Sequence, residues 1–182
     1  MELLNGSPED MSGRSEREAR AYRFLDSLGI KFERTDHPGT PADTMEVCRD
    51  VDAVLGVHIC KNLFLCNRQQ TMFYLLIMPG EKPFRTKELS GQLGISRLSF
   101  ANEEQMLELL DVRPGSVSVL GLMNDKEKRV QLVIDKDLLK EEMFGCHPCE
   151  NTSSIRFRTK DLTDVILPAL GAFPVTVTLK GE

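Results

Sequence analysis

The stretch "GCHPCENTSSIRF", residues 145–157, packs two cysteines and a histidine into four residues and follows them with an amide and three hydroxyls. Three chemistries fit such a run. Cys146 and Cys149 have the C-x2-C spacing of a zinc knuckle, but a structural zinc needs four ligands, and the other close pair, Cys60 and Cys66, stands six apart on one apolar run. A redox dithiol of the thioredoxin kind follows a strand and opens a helix whose N-terminus stabilises the thiolate; here the pattern places a helix before the motif and a strand after it. As a substrate loop, Gly145 and Pro148 around His147 fix an irregular backbone with outward N–H groups, and Asn151, Thr152 and Ser153 add neutral hydrogen-bonding groups. Each cysteine is otherwise a small buried hydrophobe, and Asn151 and Thr152 otherwise cap local backbone.

Lys61 is the second chemically unusual residue. Within "ICKNLFLC" strand alternation puts it on the same face as Ile59, Leu63 and Leu65, where an ammonium is costly unless it is paired, opens into a pocket or snorkels to water. Asn62 points to the opposite face. There is no nucleophile elbow, P-loop or dinucleotide fingerprint, and His37, His58 and His147 are too scattered in sequence for a metal triad. An activity here is expected to run without metal or cofactor.

The elements that must position these residues belong to one domain. A chain of 182 residues buries roughly 70% of its unfolded surface, and 41% apolar with 28% charged residues is ordinary for a globular protein. No window holds the roughly 18 apolar residues of a membrane span, and the start lacks the basic-then-apolar pattern of a secretory signal, so a cytoplasmic protein without membrane contact is expected. Five cysteines, an odd number, fit reduced thiols. A net charge of −5 argues against coating a nucleic-acid duplex and leaves room for contact with one nucleic-acid end. Two basic clusters could make that contact: Lys82, Arg85 and Lys87, and Arg156, Arg158 and Lys160.

Residues 1–14 read as a mobile lead-in and 15–182 as the domain. A capping box at Ser15 and Glu18 opens a first helix ended by Gly29, "IKFER" is a short strand, and a Pro- and Gly-punctuated loop precedes a helix with Val47, Cys48, Val51, Val54 and Leu55 on one face. "ICKNLFLC" and "TMFYLLIM" around "NRQQ" form a hairpin too apolar to have one wet face, the expected centre of the sheet. Thr86 is expected to cap a short helix through Leu93, and Asn102 with Gln105 to open another ending near Leu110, with "ISRLSF" extended between them. "SVSVLGLM" and "RVQLVID" read as a second hairpin, "KDLLKEEMFG" as a helix ending at Gly145, "TSSIRFRT" as a strand, and Thr159 as the cap of a last helix before the strand "PVTVTL". Hairpins mixed with helices suggest α+β or mixed α/β architecture.

These residues resemble the YbaK/ProX superfamily of free-standing aminoacyl-tRNA editing domains, related to the editing insertion of bacterial prolyl-tRNA synthetase. The likeness runs through "DHP" (36–38), "TMEVC" (44–48), "KNLFL" (61–65), "RLSFA" (97–101), "PGSVSVLGLMND" (114–125) and "HPCENTSSI" (147–155), and is strongest to the ProX/PrdX branch that deacylates Ala-tRNA(Pro). The resemblance implies one domain with a central mixed, strongly curved β-sheet flanked by helices. It implies metal-free hydrolysis of mischarged Ala-tRNA(Pro), with a terminal ribose hydroxyl helping to orient water. Gly145, His147 and Pro148 would position the aminoacyl carbonyl, Lys61 would match the lysine required for activity, and Asn151 and Thr152 the polar pair. Asn62, Ser153, Thr44, Ser99 and Phe100 would contact substrate. The implied partner is the 3' aminoacyl end of mischarged tRNA(Pro), with prolyl-tRNA synthetase as a second. "HPGTPADTMEV" departs from the commoner "HPPVFTVEEA", with Ala42 and Asp43 where branched apolar residues stand, which opens the site to side chains other than alanine. The competing reading is a binding module on the same fold that senses an aminoacyl end or a free amino acid.

Overall fold

A computed structural model describes residues 1–182. The chain runs β1 (Leu4–Asn5), α1 (Glu16–Ser27), β2 (Glu33–Asp36), α2 (Met45–Leu55), β3 (Lys61–Asn67), β4 (Phe73–Met78), α3 (Thr86–Leu93), β5 (Leu98–Phe100) and α4 (Glu103–Leu110). A 3-10 turn (Val119–Asn124) leads to β6 (Val130–Asp135), α5 (Lys136–Lys140), β7 (Met143–Cys146) and β8 (Ser153–Arg158). The end is α6 (Thr159–Asp161), a π-turn (Leu162–Ile166), α7 (Leu167–Leu170) and β9 (Val175–Val177).

The expected hairpin pairs Lys61 with Met78 through Cys66 with Phe73, and it lies inside a mixed sheet of order β5-β3-β4-β6-β9. All six residues of β4 are buried, which is why its pattern does not alternate: each face of the strand meets a different core. Phe64, Phe73, Leu75 and Ile77 join a 31-residue core shared with Tyr22, Leu25, Phe144, Ile155 and Phe157. Leu65, Leu76 and Met78 turn the other way, onto Leu89 of α3 and Val177 and Leu179 of the C-terminal segment. A fully buried Leu or Phe contributes about 1.5–3 kcal/mol, so the larger core dominates stability. Beside the mixed sheet lies a second, antiparallel one, β1-β2-β8-β7.

The two sheets are stitched at one place. Ile59 and Gly145 form a parallel bridge, and the Cys60 amide donates to the Gly145 carbonyl at 3.1 Å.

Four expectations change. "SVSVLGLM" is not the first arm of a hairpin: Ser118 caps the 3-10 turn by accepting the Leu120 amide, and Val119 to Leu122 are all buried, so the apparent alternation marks no exposed face. Its supposed partner β6 pairs in parallel with β4 and β9 instead, launched by the Asp125 carboxylate, which accepts the amides of Arg129 and Val130. The helix predicted up to Gly145 ends at Lys140; Glu141 is extended and β7 follows, held by Phe144 packing on Phe157 across the ladder. Ser15 caps α1, but Glu18 does not reach back to close a capping box; its carboxylate turns inward to Arg14, Tyr22 and Ser153. Residues 1–14, read as a lead-in, add the edge strand β1 and bring Arg14 onto Asp36 and Ser153. Other locally encoded features stand as read: α3 ends at Leu93 with Gly94 left-handed behind it, although Thr86 is its first helical residue and not its cap, and Asn102 and Gln105 exchange both hydrogen bonds of their capping box.

Candidate active site

The 145–152 segment ends β7 and turns into β8, and beyond the Cys60 stitch two other segments hold it. The His37 amide donates to the Thr152 carbonyl at 2.9 Å and the Ala42 amide to the Asn151 carbonyl at 3.0 Å, so the 37–44 strap runs along the loop. The Asn151 amide donates to Ser116 Oγ at 3.1 Å. Gly115, at φ +83°, faces the Asn151 side chain so closely that a Cβ there would lie 3.0 Å from Nδ2. Gly115 and Ser116, which the sequence analysis carries only inside the motif "PGSVSVLGLMND", thus join the candidate site by their contacts with Asn151.

His147 is buried, its Nδ1 within 3.1 Å of both the Ser153 carbonyl and Ser154 Oγ. His37, also buried, reaches the same Ser154 hydroxyl through Nε2 at 3.1 Å. Ser153 Oγ is taken up by the cluster of Arg14, Glu18 and Asp36. Burial pulls His147 down to about 4 from its ordinary 6.5. The fold therefore holds the neutral ring, and an unfolded chain takes up a proton there first as pH falls. The stabilisation is fully present above pH 6.5 and is lost as pH falls toward 4, a contribution of about 3 kcal/mol. Chemical denaturation at pH 7 and pH 4.5 is expected to show this loss, and a His147→Gln variant to show a smaller one.

Gly145 leaves little room for a side chain. A Cβ would lie 3.0 Å from Val57 Cγ1, 3.1 Å from Ile59 Cδ1 and 3.4 Å from the His58 carbonyl oxygen, on the segment that stitches the sheets. Gly145→Val is expected to cost about 1–3 kcal/mol by overpacking, and for a chain of this size to lower Tm by roughly 2–12 °C in a thermal melt.

Lys61 opens β3 one residue beyond that stitch. Its ammonium donates to the Lys82 carbonyl at 2.7 Å, leaving two N–H groups uncommitted in the fold. Lys82 and Gly145 both line a cleft of about 740 Å³ that also takes in Val57, His58 and Glu81. Asn62, on the opposite strand face, donates to the Cys60 carbonyl, and its Oδ1 is buried without a partner. Thr44 caps α2 by accepting the Val47 amide at 3.3 Å, at the end of the strap. Ser99 and Phe100 pair with Cys66 and Leu65, roughly 13–17 Å along β3 from Lys61, though the Phe100 ring packs edge-on against Phe84, two residues beyond Lys82.

The redox reading of the cysteines loses its footing. Cys146 and Cys149 are buried and followed by a strand, not a helix, and burial pushes Cys60 and Cys149 up to about 12 and Cys146 well above its ordinary value, so none is a ready thiolate. The basic clusters are partly consumed: Lys82 binds Asp135 and Asp137, Arg156 binds Glu33 and Arg158 binds Asp161. No helix is long and apolar enough to cross a membrane.

The fold is a mixed α/β domain in which the Lys61 strand and the 145–152 loop meet where its two sheets join. The sequence profile of the aminoacyl-tRNA editing domain matches residues 40–165, and the chain belongs to that family, the YbaK/ProX superfamily of aminoacyl-tRNA deacylases. It is 30% identical over 142 residues to the prolyl-tRNA editing protein ProX of Acetoanaerobium sticklandii, covering 78% of this chain and 85% of that one. It is 33% identical over 141 residues to the prolyl-tRNA synthetase associated domain-containing protein 1 of Danio rerio, covering 76% and 75%. A solved structure described as a candidate trans-editing enzyme for prolyl tRNA synthetase shares the fold at a TM-score of 0.67 and 18% identity, over 91% of this chain and 98% of that one.

Proposed function

We propose that this protein edits in trans, hydrolysing the ester of mischarged Ala-tRNA(Pro), with the 3' aminoacyl adenosine held between the 145–152 loop and the Lys61 strand. The observation that carries the reading is the Cys60–Gly145 hydrogen bond at 3.1 Å, which sets the start of the lysine strand beside the loop; Gly145 and Lys82, whose carbonyl receives the Lys61 ammonium, line one cleft. Gly145, His147 and Pro148 position the aminoacyl carbonyl. Asn151 and Thr152 act through backbone held by Ser116, Ala42 and His37, while Asn62 and Thr44 border the site. Lys61 supplies positive charge to the terminal ribose or phosphate and is not a covalent nucleophile.

The chemistry asks little more of the protein. An aminoacyl ester is already activated, a neighbouring ribose hydroxyl orients water, and fixed donors stabilise the tetrahedral oxyanion. Alanine is smaller than proline, so a synthetase pocket cut for proline cannot exclude it, and a second site that admits the smaller side chain restores discrimination. The names of the ProX and synthetase-associated relatives support tRNA(Pro) as the substrate body and prolyl-tRNA synthetase as a partner. With Lys82, Arg156 and Arg158 already paired, phosphate contacts are few, and affinity for tRNA falls only gently with salt.

The test is a panel of tRNA(Pro) mischarged with small amino acids, scored for ester loss with and without pure protein. Acceleration for alanine supports the reading. Failure for every mischarged tRNA(Pro), with tight binding of the aminoacyl end, replaces it by the binding module.

A further inference from the structure

The neighbours of His147 assign its protons. Nδ1 lies 3.1 Å from the Ser153 carbonyl oxygen, which can only accept, so Nδ1 carries the hydrogen and Nε2 the lone pair. The same logic applies to His37, whose Nδ1 lies 2.9 Å from the Thr40 carbonyl oxygen. Its Nε2 is then an acceptor, 3.1 Å from Ser154 Oγ. Ser154 has a single hydroxyl hydrogen. Given to His37, it leaves the Ser154 oxygen to accept from His147 Nδ1 at 3.1 Å. Donation thus runs in one direction, from His147 to Ser154 to His37, and a carbonyl pins the ring at each end.

The relay is braced from the other face of β8. Ser153 Oγ bonds Glu18 and Asp36 at 2.8 Å each and receives Arg14 at 3.0 Å, so the carbonyl that fixes His147 is itself held. His147 Nε2 makes no hydrogen bond within the fold, and it is not among the fully enclosed orphan atoms, which are Thr35 Oγ1, Asn62 Oδ1 and Thr159 Oγ1.

We infer that His37 and Ser154 are positioning residues that lock His147 in the Nδ1–H tautomer and turn its Nε2 outward as a neutral acceptor for an N–H or O–H group of the substrate. Resting on the editing reading, this assigns the acceptor to the aminoacyl adenosine, which carries both an amino group and ribose hydroxyls. With His37 removed, the Ser154 hydrogen is free to turn toward His147 Nδ1 and compete for the lone-pair form. With Ser154 removed, the ring keeps one acceptor in place of two.

The experiment pairs a substrate-free reading with a kinetic one. Long-range proton–nitrogen correlation spectra of the full chain, labelled with 15N-histidine, report the tautomer of His147 in wild type, His37→Phe, Ser154→Ala and His37→Gln; deacylation of Ala-tRNA(Pro) gives kcat and KM for each. Wild type is expected as Nδ1–H. His37→Phe, which frees the Ser154 hydroxyl to donate to His147 Nδ1, is expected to populate Nε2–H and to lower kcat about tenfold with KM within about twofold, the pattern of lost orientation. Ser154→Ala leaves the Ser153 carbonyl as the acceptor of Nδ1–H and is expected to keep the Nδ1–H ring. His37→Gln, whose amide oxygen still accepts the Ser154 hydroxyl, keeps the wild-type tautomer and rate. An Nε2–H ring in wild type, or an unchanged tautomer in His37→Phe, overturns the inference whatever the rates do. A wild type that deacylates nothing yet shows the expected tautomer shift sinks the editing reading alone. Should His37→Phe fail to fold, His37→Leu, which removes the same acceptor, decides the matter.

Discussion

Lys61→Ala is expected to lower the rate of Ala-tRNA(Pro) deacylation by about 10² to 10³-fold while leaving the fold standing. The size follows from what the ammonium does in the proposed site: a fixed donor aimed at developing negative charge is worth that much where water is partly excluded. The side chain's role in the fold is slight. It makes one hydrogen bond, to the Lys82 carbonyl, and its loss costs about 1 kcal/mol. Rate and Tm measured on the same preparation separate the two roles, and a melt shifted as severely as the rate would make Lys61 structural. Lys61→Arg is not expected to restore activity, because a planar guanidinium on a longer stem does not place a point charge where the ammonium sits.

The second large effect falls one carbonyl away. The Lys82 ammonium satisfies all three of its donors, on Asp135 and Leu179 at 2.7 Å and on Asp137 at 2.8 Å. Its hydrogen bonds help hold Asp137 at about 2, and the Asp135 side chain is fully buried. Lys82→Met fills the same channel but strips the cation, leaving Asp135 with the Asp137 amide as its remaining donor. Breaking a buried pair from one side costs about 3–5 kcal/mol, which for a chain of this length lowers Tm by roughly 6–20 °C. Because the Lys82 carbonyl anchors Lys61, deacylation is expected to fall as well. The double variant Lys82→Met with Asp135→Leu is expected to recover most of the stability, since an apolar pair replaces the orphaned carboxylate. A thermal melt of the three proteins checks the series; a single variant as stable as wild type would show that the pair is dispensable.

What the sequence makes legible here is whatever is local or chemically repetitive. The capping box at Asn102 and Gln105, the Gly94 stop and the β3–β4 hairpin each rest on residues within a few positions of one another. Misreadings arise where a partner lies far along the chain. β6 alternates like a hairpin arm, but its ladder is parallel to β4 and β9, a choice made by burial on both faces and not by its own pattern. "KEEMF" has helical spacing until Phe144 is seen against Phe157, which makes it a strand. Glu18 satisfies the letter of a capping box, yet Ser153, 135 residues away, claims its carboxylate.

The candidate site divides along the same line. Gly145, His147, Asn151 and Lys61 could be picked out as unusual residue types, and the structure brings their segments together at the seam of the two sheets. Ser116 and Gly115 could not, since only the folded turn sets them against Asn151. His37 and Ser154 look like a loop residue and a strand residue until one hydroxyl is found between two imidazoles. Ser99 and Phe100 belong to a motif of the resemblance, and their strand pairs them with the far half of β3 while the Phe100 ring turns onto Phe84.

The most direct measurement is the release of alanine from Ala-tRNA(Pro), with Ala-tRNA(Ala) and Pro-tRNA(Pro) alongside and a chelator present throughout. Rapid loss of alanine from tRNA(Pro), with Pro-tRNA(Pro) spared and the Lys61→Ala protein inert, is the expected result. Equal hydrolysis of Pro-tRNA(Pro), or no acceleration on any of the three, would contradict it.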